Sequence, residues 1–260
     1  MLKTFAFIVL FCYYGLERER FMQYLYYILL AFASYMVGNI SGARIVARLK
    51  HGDITKSGSG NPGTLNTWRT FGFWPGILTF VLDMLKGVIP TLFAVLTFNH
   101  FGCNAEIALF VAGFCVVLGH IYPVVFKFNG GKGVATTIGV FFVANWWVTL
   151  IAVVVMIIGI LFVKYASIFT IGIVIALSIV EICLCNPANW LNYIFIAGIL
   201  LLVLIAHRAN IKRIFTGKEN KTELLKMLKG LGKKKENKEE DQKQGNASEI
   251  KTDKSENNDE

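Results

Sequence analysis

The sequence predicts an all-α integral membrane protein of about seven transmembrane helices, with re-entrant or loop segments forming a site at the cytoplasmic face. Three observations lead there. First, 55% of the 260 residues are hydrophobic and the mean hydropathy is +0.55, values few soluble domains reach. Second, several apolar runs approach the roughly 20 residues that carry a helix across a bilayer. Third, the lysines and arginines behind the formal charge of +9 fall in short loops between those runs and just after the last one. Basic loops of this kind mark the cytoplasmic side next to anionic lipid. The charge therefore points to a membrane surface and acidic small molecules, with no nucleic acid as partner. The five cysteines (Cys12, Cys103, Cys115, Cys183, Cys185) include no Cys-x-x-Cys pair, and most lie in or near apolar segments. They read as packing residues, not as a metal site or disulfide framework.

Taken in order, residues 1–21 form an N-terminal extension. Residues 5–16 are apolar but too short to span comfortably, and Glu17, Arg18, Glu19 and Arg20 follow them. With Lys3 in front the stretch has the outline of a signal peptide, but no small-residue cleavage site follows. It is read as dispensable, with Met22 opening the first clean span. Span one covers 23–46, and Arg44, Arg48 and Lys50 place its C-terminal end inside. After a polar loop, 51–71, span two covers 73–98 and carries Asp83 and Lys86 on one helix face. The connector 99–104 has no Lys or Arg and belongs outside; span three, 105–122, returns the chain to the inside.

Residues 134–184 are long enough for two or three crossings. Asn145, Trp146 and Trp147 form an uncharged interfacial break suited to the outer surface. Lys164 and Tyr165 form a break suited to the inner one. The expected spans are 134–145, short and shielded, then 147–163 and 166–184. An outer loop with Asn186 and Pro187 leads to the last span, 191–206, which ends at His207 and Arg208. The multi-span unit is thus 22–219. The tail, 220–260, is basic at first (Lys226, Lys229, Lys233, Lys234, Lys235) and could lie along anionic lipid. Its acidic end lacks apolar residues and is expected to be disordered.

Three polar stretches fall on the inner side. In 119–137, GHIYPVVFKFNGGKGVATT, two lysines and four glycines interrupt apolar sequence. Gly130, Gly131 and Gly133 allow close approach of the backbone to a ligand. A helix beginning near Val134 would offer free N–H groups and a dipole to an anion, with Lys132 as a mobile charge. Phe126 and Val134 break the Walker A pattern, and a tight turn with one snorkelling lysine explains the stretch almost as well. His120 at its start would, alone, more often be structural than catalytic. In 57–69, SGSGNPGTLNTWR, Ser59 offers a hydroxyl, Asn61 and Asn66 offer amides, and Arg69 offers a planar fork suited to phosphate. Most glycine-rich loops of this sort are plain connectors. In 207–220, HRANIKRIFTGKEN, His207 and Asn210 share a helix face, and Glu219 is placed to pair with a cation. Lys212, Arg213 and Lys218 read as partly headgroup contacts, and on charge alone the stretch is a stop-transfer flank. Together, the three basic stretches on one membrane face point to an anionic, phosphorylated substrate.

Residues 58–66 (GSGNPGTLN) with Arg69, residues 119–136 (GHIYPVVFKFNGGKGVAT) and residues 207–219 (HRANIKRIFTGKE) resemble, in order and spacing, the three signatures of the bacterial glycerol-3-phosphate acyltransferases that use acyl phosphate. The Asp83, Lys86 and Gly87 piece fits as well. The likeness covers about 22–219. Leu65 departs from the family's usual Thr, and Thr55 and Lys56 stand where an Arg is common. The resemblance implies a seven-span helical fold in the cell membrane with its site facing the cytoplasm. It implies acyl transfer from acyl phosphate to the sn-1 hydroxyl of glycerol 3-phosphate, giving lysophosphatidic acid and phosphate in the first acylation of phospholipid synthesis. No acyl-CoA, acyl carrier protein, cofactor or metal is implied. The partners are the two substrates, membrane lipid and the enzyme that synthesises acyl phosphate. Ser59, His207 and Lys132 take the catalytic positions. Asn61, Asn66, Arg69, His120, Gly130, Gly131, Gly133, Asn210 and Glu219 take the substrate-binding ones. Proton transfer falls to His207 or to a substrate phosphate oxygen. The competing reading is a transporter or channel for small organophosphates, which predicts inverted repeats and broken helices near the midplane. No clear repeat is visible, and the polar residues sit at span ends.

Overall fold

The computed structural model describes residues 2–163 and 165–219, with side chains from Glu17 onward. The expected break at Lys164 and the tail 220–260 lie outside the described residues. Those described are helical or irregular, with no strand among them. The helices are α1 (Leu2–Gly38), α2 (Gly42–Leu49), α3 (Thr64–Phe71), α4 (Phe73–Phe98), α5 (Ala105–Ile121), α6 (Val134–Ala144), α7 (Trp146–Val163), α8 (Ala166–Leu184), α9 (Trp190–Ala206) and α10 (Arg208–Phe215).

Among the described residues, five helical stretches are long and apolar enough to cross a membrane, or six if α9 and α10, bent by 62°, make one broken span. The expected count of about seven is therefore not confirmed. The difference lies at α6, which has only 11 residues. At 1.5 Å per residue it reaches about half of the roughly 30 Å hydrocarbon core. It survives because α4, α5, α7 and α8 cover it, leaving Ile138, Val140 and Phe141 at most 2% exposed. The exterior is apolar where lipid would lie: on α7, Leu150, Ile151, Val154, Val155 and Ile158 are all exposed. Trp146, Trp147 and Trp190 sit exposed at helix starts, where an amphipathic ring suits the interface.

Helix α5 is the axis of the bundle and packs against α1, α4, α6 and α9. Its start is capped by Asn104, whose side chain accepts from the Glu106 and Ile107 amides at 3.0 and 3.1 Å. Small residues let the helices meet backbone to backbone. A Cβ on Gly119 would overlap the Tyr35 carbonyl of α1, and one on Gly87 would overlap the Thr136 carbonyl of α6.

The first span differs from expectation at both ends. No element boundary falls at Met22, since α1 runs unbroken from Leu2 to Gly38. The helix then stops, and α2 resumes at Gly42. The polar pair on α4 accounts for the break. Lys86 Nζ donates to the carbonyls of Gly38 (3.3 Å) and Ile40 (2.6 Å), and Asp83 Oδ1 accepts from the Gly42 amide at 3.1 Å. The two side chains are ion-paired at 3.0 Å and at most 5% exposed. Backbone groups freed by the break are thus satisfied inside the bundle, as an apolar surrounding requires.

Candidate active site

All three polar stretches meet at one end of the bundle, around a cavity of about 200 Å³. Ser59, Asn61, Asn66, Arg69, His120, Lys132, Gly133, His207, Asn210 and Glu219 line it, as Asp83 does. Gly130 and Gly131 stand behind that wall. The Gly131 amide donates to the His120 carbonyl at 3.1 Å. A Cβ at either glycine would strike His120, its carbonyl in one case and its ring in the other. These glycines bring the loop hard against the end of α5, and so set where Lys132 emerges.

Lys132 is followed by Gly133, which takes the N-cap position of α6 at φ +85°, a left-handed conformation that favours glycine. No side chain caps this helix start, so its first amides and dipole remain available to an anion. Lys132 Nζ donates to Asn210 Oδ1 at 2.5 Å. Asn210 in turn donates through Nδ2 to Ser167 Oγ (2.7 Å) and Glu219 Oε1 (2.9 Å). Glu219 also accepts from Ser167 at 2.6 Å and from Arg213 Nε at 3.0 Å. Burial alone would raise the Glu219 carboxyl, but the bonds from Ser167, Asn210 and Arg213 outweigh it and hold the group below the usual carboxylate range. Burial lowers Lys132 to about 8, helped by the charges of Arg213 and Arg69 and opposed by Glu219. Burial likewise lowers Arg69. Lys132, Arg69 and Arg213, whose charges are felt together in a partly desolvated cavity, form a site that suits an incoming phosphate.

The 57–69 loop is set by Asn66. Its Oδ1 accepts from the Ser59 amide at 2.9 Å, and its Nδ2 donates to the carbonyls of Ser57 (3.0 Å) and Ile54 (3.2 Å). Asn66 therefore shapes the turn that presents Ser59. His207, at the bend between α9 and α10, is 2% exposed. Its Nδ1 lies 2.9 Å from the Val203 carbonyl. A carbonyl only accepts, so Nδ1 carries the hydrogen and the neutral ring offers Nε2 as acceptor.

The cavity lining also includes apolar side chains that the sequence reading did not anticipate. Phe80, Ile138, Met156 and Ile160 contribute, from α4, α6 and α7. In sequence they are indistinguishable from lipid-facing positions. Ser167 and Thr170 were also missed, being isolated hydroxyls in an apolar run. Arg213, read as a headgroup contact, lines the cavity and pairs with Glu219. Its spacing from Asn210 already put it on that helix face.

A family model described as glycerol-3-phosphate acyltransferase matches residues 28–217. The chain is 38% identical to a glycerol-3-phosphate acyltransferase of Clostridioides difficile over 201 residues, 77% of this chain and 97% of that one. It is also 38% identical to one from Aquifex aeolicus over 188 residues, 72% of this chain and 95% of that one. The crystal structure of PlsY, an integral membrane glycerol 3-phosphate acyltransferase, in its glycerol 3-phosphate form superposes with a TM-score of 0.70 at 36% identity, covering 78% of this chain and 98% of that one. The same protein in its lysophosphatidic acid form gives 0.69.

Proposed function

Because the chain belongs to the glycerol-3-phosphate acyltransferase family, we propose that it transfers a fatty acyl group from acyl phosphate to the sn-1 hydroxyl of glycerol 3-phosphate. The products are lysophosphatidic acid and inorganic phosphate. The observation that carries the reading is the mixed lining of the cavity, which brings Lys132, Arg69 and Arg213 together with Phe80, Ile138, Met156 and Ile160. An acyl phosphate has a charged end for the cations and an apolar chain for the apolar side chains, and glycerol 3-phosphate brings a second phosphate to the cations.

In the proposed reaction the sn-1 hydroxyl oxygen attacks the acyl carbonyl carbon. The new ester C–O bond forms, the carbonyl-to-phosphate C–O bond breaks, and phosphate leaves with the bonding pair. The donor is already activated, so the chain's task is to position two phosphates and stabilise developing charge. Lys132 and the start of α6 hold one phosphate; Arg69 and Arg213 hold the other. Ser59, presented by Asn66 beside Asn61, orients the reacting groups. His207 Nε2 is the acceptor for the hydroxyl proton, which ends on the departing phosphate. Asn210 and Glu219 fix Lys132 and Arg213. His120, with Gly130 and Gly131 packed against it, fixes the loop.

The extent of the family match, 28–217, supports an acyltransferase unit at 22–219, with flanks 1–21 and 220–260 dispensable for chemistry. The segments at the cavity end carry Arg44, Arg48, Lys127 and Lys212, whereas at the other end Arg18 and Arg20 of α1 alternate with Glu17 and Glu19. The loops at the other end, 99–104 and 185–189, carry no Lys or Arg. That asymmetry supports a cytoplasmic site, where the enzyme that synthesises acyl phosphate would deliver the donor. The test is purified protein in detergent given acyl phosphate and glycerol 3-phosphate, with lysophosphatidic acid measured. Formation from acyl phosphate and not from acyl-CoA is expected. Turnover with acyl-CoA alone would overturn the donor assignment. Movement of glycerol 3-phosphate into sealed vesicles without acylation would favour a transporter.

A further inference from the structure

Between α5 and the glycine–lysine loop the chain makes a tight turn whose tip, Lys127, Phe128 and Asn129, is exposed. The Asn129 amide donates to the Phe126 carbonyl at 3.0 Å and closes it. Both central residues are left-handed, Lys127 at φ +52° and Phe128 at φ +59°. Turns of that kind are dominated by Gly, Asn and Asp. Other residues hold the conformation only where their surroundings impose it. Here the surroundings are the break between α1 and α2. Tyr35 Oη donates to the Tyr122 carbonyl at 2.9 Å, and Asn39 Oδ1 accepts from the Val125 amide at 3.3 Å. These bonds hold the entry to the turn. Its exit is held by Arg44, which donates through Nη2 to the Asn129 carbonyl at 2.9 Å. The same guanidinium lies 4.3 Å over the Phe126 ring. One side chain thus grips the residue before the left-handed pair and the residue after it.

Asn129 leads directly into Gly130, Gly131 and Lys132. Gly130 and Gly131 lie so close to His120 that a Cβ would not fit, so the short link has little slack. The other side of the clamp is fixed as well. Ser41 Oγ accepts from the Arg44 amide at 3.4 Å, and Asp83 Oδ1 accepts from the Gly42 amide at 3.1 Å. We propose that Arg44 is a positioning residue for acyl transfer: by clamping the 126–129 turn to α2 it sets where Lys132 stands in the cavity. Arg44 is not among the residues that line that cavity, and with Phe126 it lines a separate pocket. It therefore acts through the loop and not on the substrate. A lysine would keep the charge, but it has no planar group that stacks on a ring while donating from its edge. The inference rests on the acyl-transfer reading of the cavity.

The test uses the full chain in detergent and begins with amide hydrogen exchange in the absence of substrates. In Arg44→Met the stretch 129–134 should exchange about tenfold faster than in the parent, while 105–117 of α5 stays as protected. Acyl transfer is then measured with varied glycerol 3-phosphate. Arg44→Met should lower kcat/KM about tenfold, and Arg44→Lys should restore only part of the loss. Arg48→Met removes a charge one turn further along α2, at an exposed position, and should turn over like the parent. In a Lys132→Ala background Arg44→Met should cost less than about twofold, since the contact it serves is already gone. Equal losses in the two backgrounds would mean a role apart from Lys132 and would overturn the proposal. So would equal losses in Arg44→Met and Arg48→Met, or unchanged exchange in 129–134. If Arg44→Met does not fold, Arg44→Lys carries the same comparisons, and parental exchange and kinetics in it overturn the proposal. A parent without acyl transfer would overturn the reading of the cavity instead, and the exchange data would still decide whether Arg44 holds the loop.

Discussion

Lys132 and Asn210 are joined by a 2.5 Å hydrogen bond that links the glycine–lysine loop to the start of α10. Through Asn210 the link continues to Ser167 and Glu219, so three segments distant in sequence are held on one charged side chain.

The network predicts an effect at a residue with no charge. Ser167→Ala removes a donor to Glu219 and an acceptor for Asn210. Hydrogen bonds to charged groups are worth about 1.5–3 kcal/mol. A loss near the lower end, about tenfold in kcat/KM, is expected because Arg213 still holds Glu219. Steady-state kinetics with varied glycerol 3-phosphate measure it. Unchanged kinetics would show that Ser167 only fills space.

The lysine also gives a pH dependence. Its value near 8 in the free protein means that it carries charge below that pH and loses it above. A phosphate contact needs the charged form, so kcat/KM should fall as pH rises through about 8. The limb should vanish in Lys132→Met. A limb that stays in that variant belongs to another group.

The Asp83–Lys86 pair should behave as a buried unit. Lys86→Met leaves a carboxylate uncompensated inside the bundle and should cost about 3–5 kcal/mol. Asp83→Asn combined with Lys86→Met should cost less than the two single changes added together. Thermal unfolding of the four proteins in detergent gives the coupling. Simple additivity would mean that the break between α1 and α2 is held by something else.

Helix contact predicts intolerance at Gly87. Any Cβ there overlaps the Thr136 carbonyl. Gly87→Val should push α4 from α6 and destabilise by about 1–3 kcal/mol. The same change at Gly172, where a Cβ meets nothing within 4 Å, should be near neutral. Comparing the two midpoints checks it.

Much of this was readable in the chain because the bilayer forces its rules onto sequence. The bounds of α4 and α8 coincide with the expected 73–98 and 166–184, since an apolar run between polar residues has few ways to sit. Lys132 at a helix start followed from glycines before an apolar run. Other features depend on tertiary contact. The stop at Gly38 is held by Lys86 and Asp83 on another helix, and the local signal for it, Gly38 and Asn39 followed by Ser41 as the N-cap of α2, was passed over inside the expected span 23–46. The apolar part of the lining was hidden because a side chain facing an acyl chain and one facing lipid obey the same chemistry. Ser167 was hidden because its partner, Glu219, lies 52 residues away.

The most direct test of the cradle is the comparison of two lysines in one loop. Lys132 lines the cavity, while Lys127, at φ +52°, is exposed outside it. In the acyl phosphate assay Lys132→Ala should lower kcat/KM by roughly 10- to 150-fold, the worth of a charge-assisted hydrogen bond. Lys132→Arg should not restore it fully, because the planar fork is bulkier than the ammonium that the glycines accommodate. Lys127→Ala should turn over like the unaltered protein. If both alanine variants fold and show the same kcat/KM as the parent, the glycine–lysine stretch is a turn and the phosphate cradle does not exist.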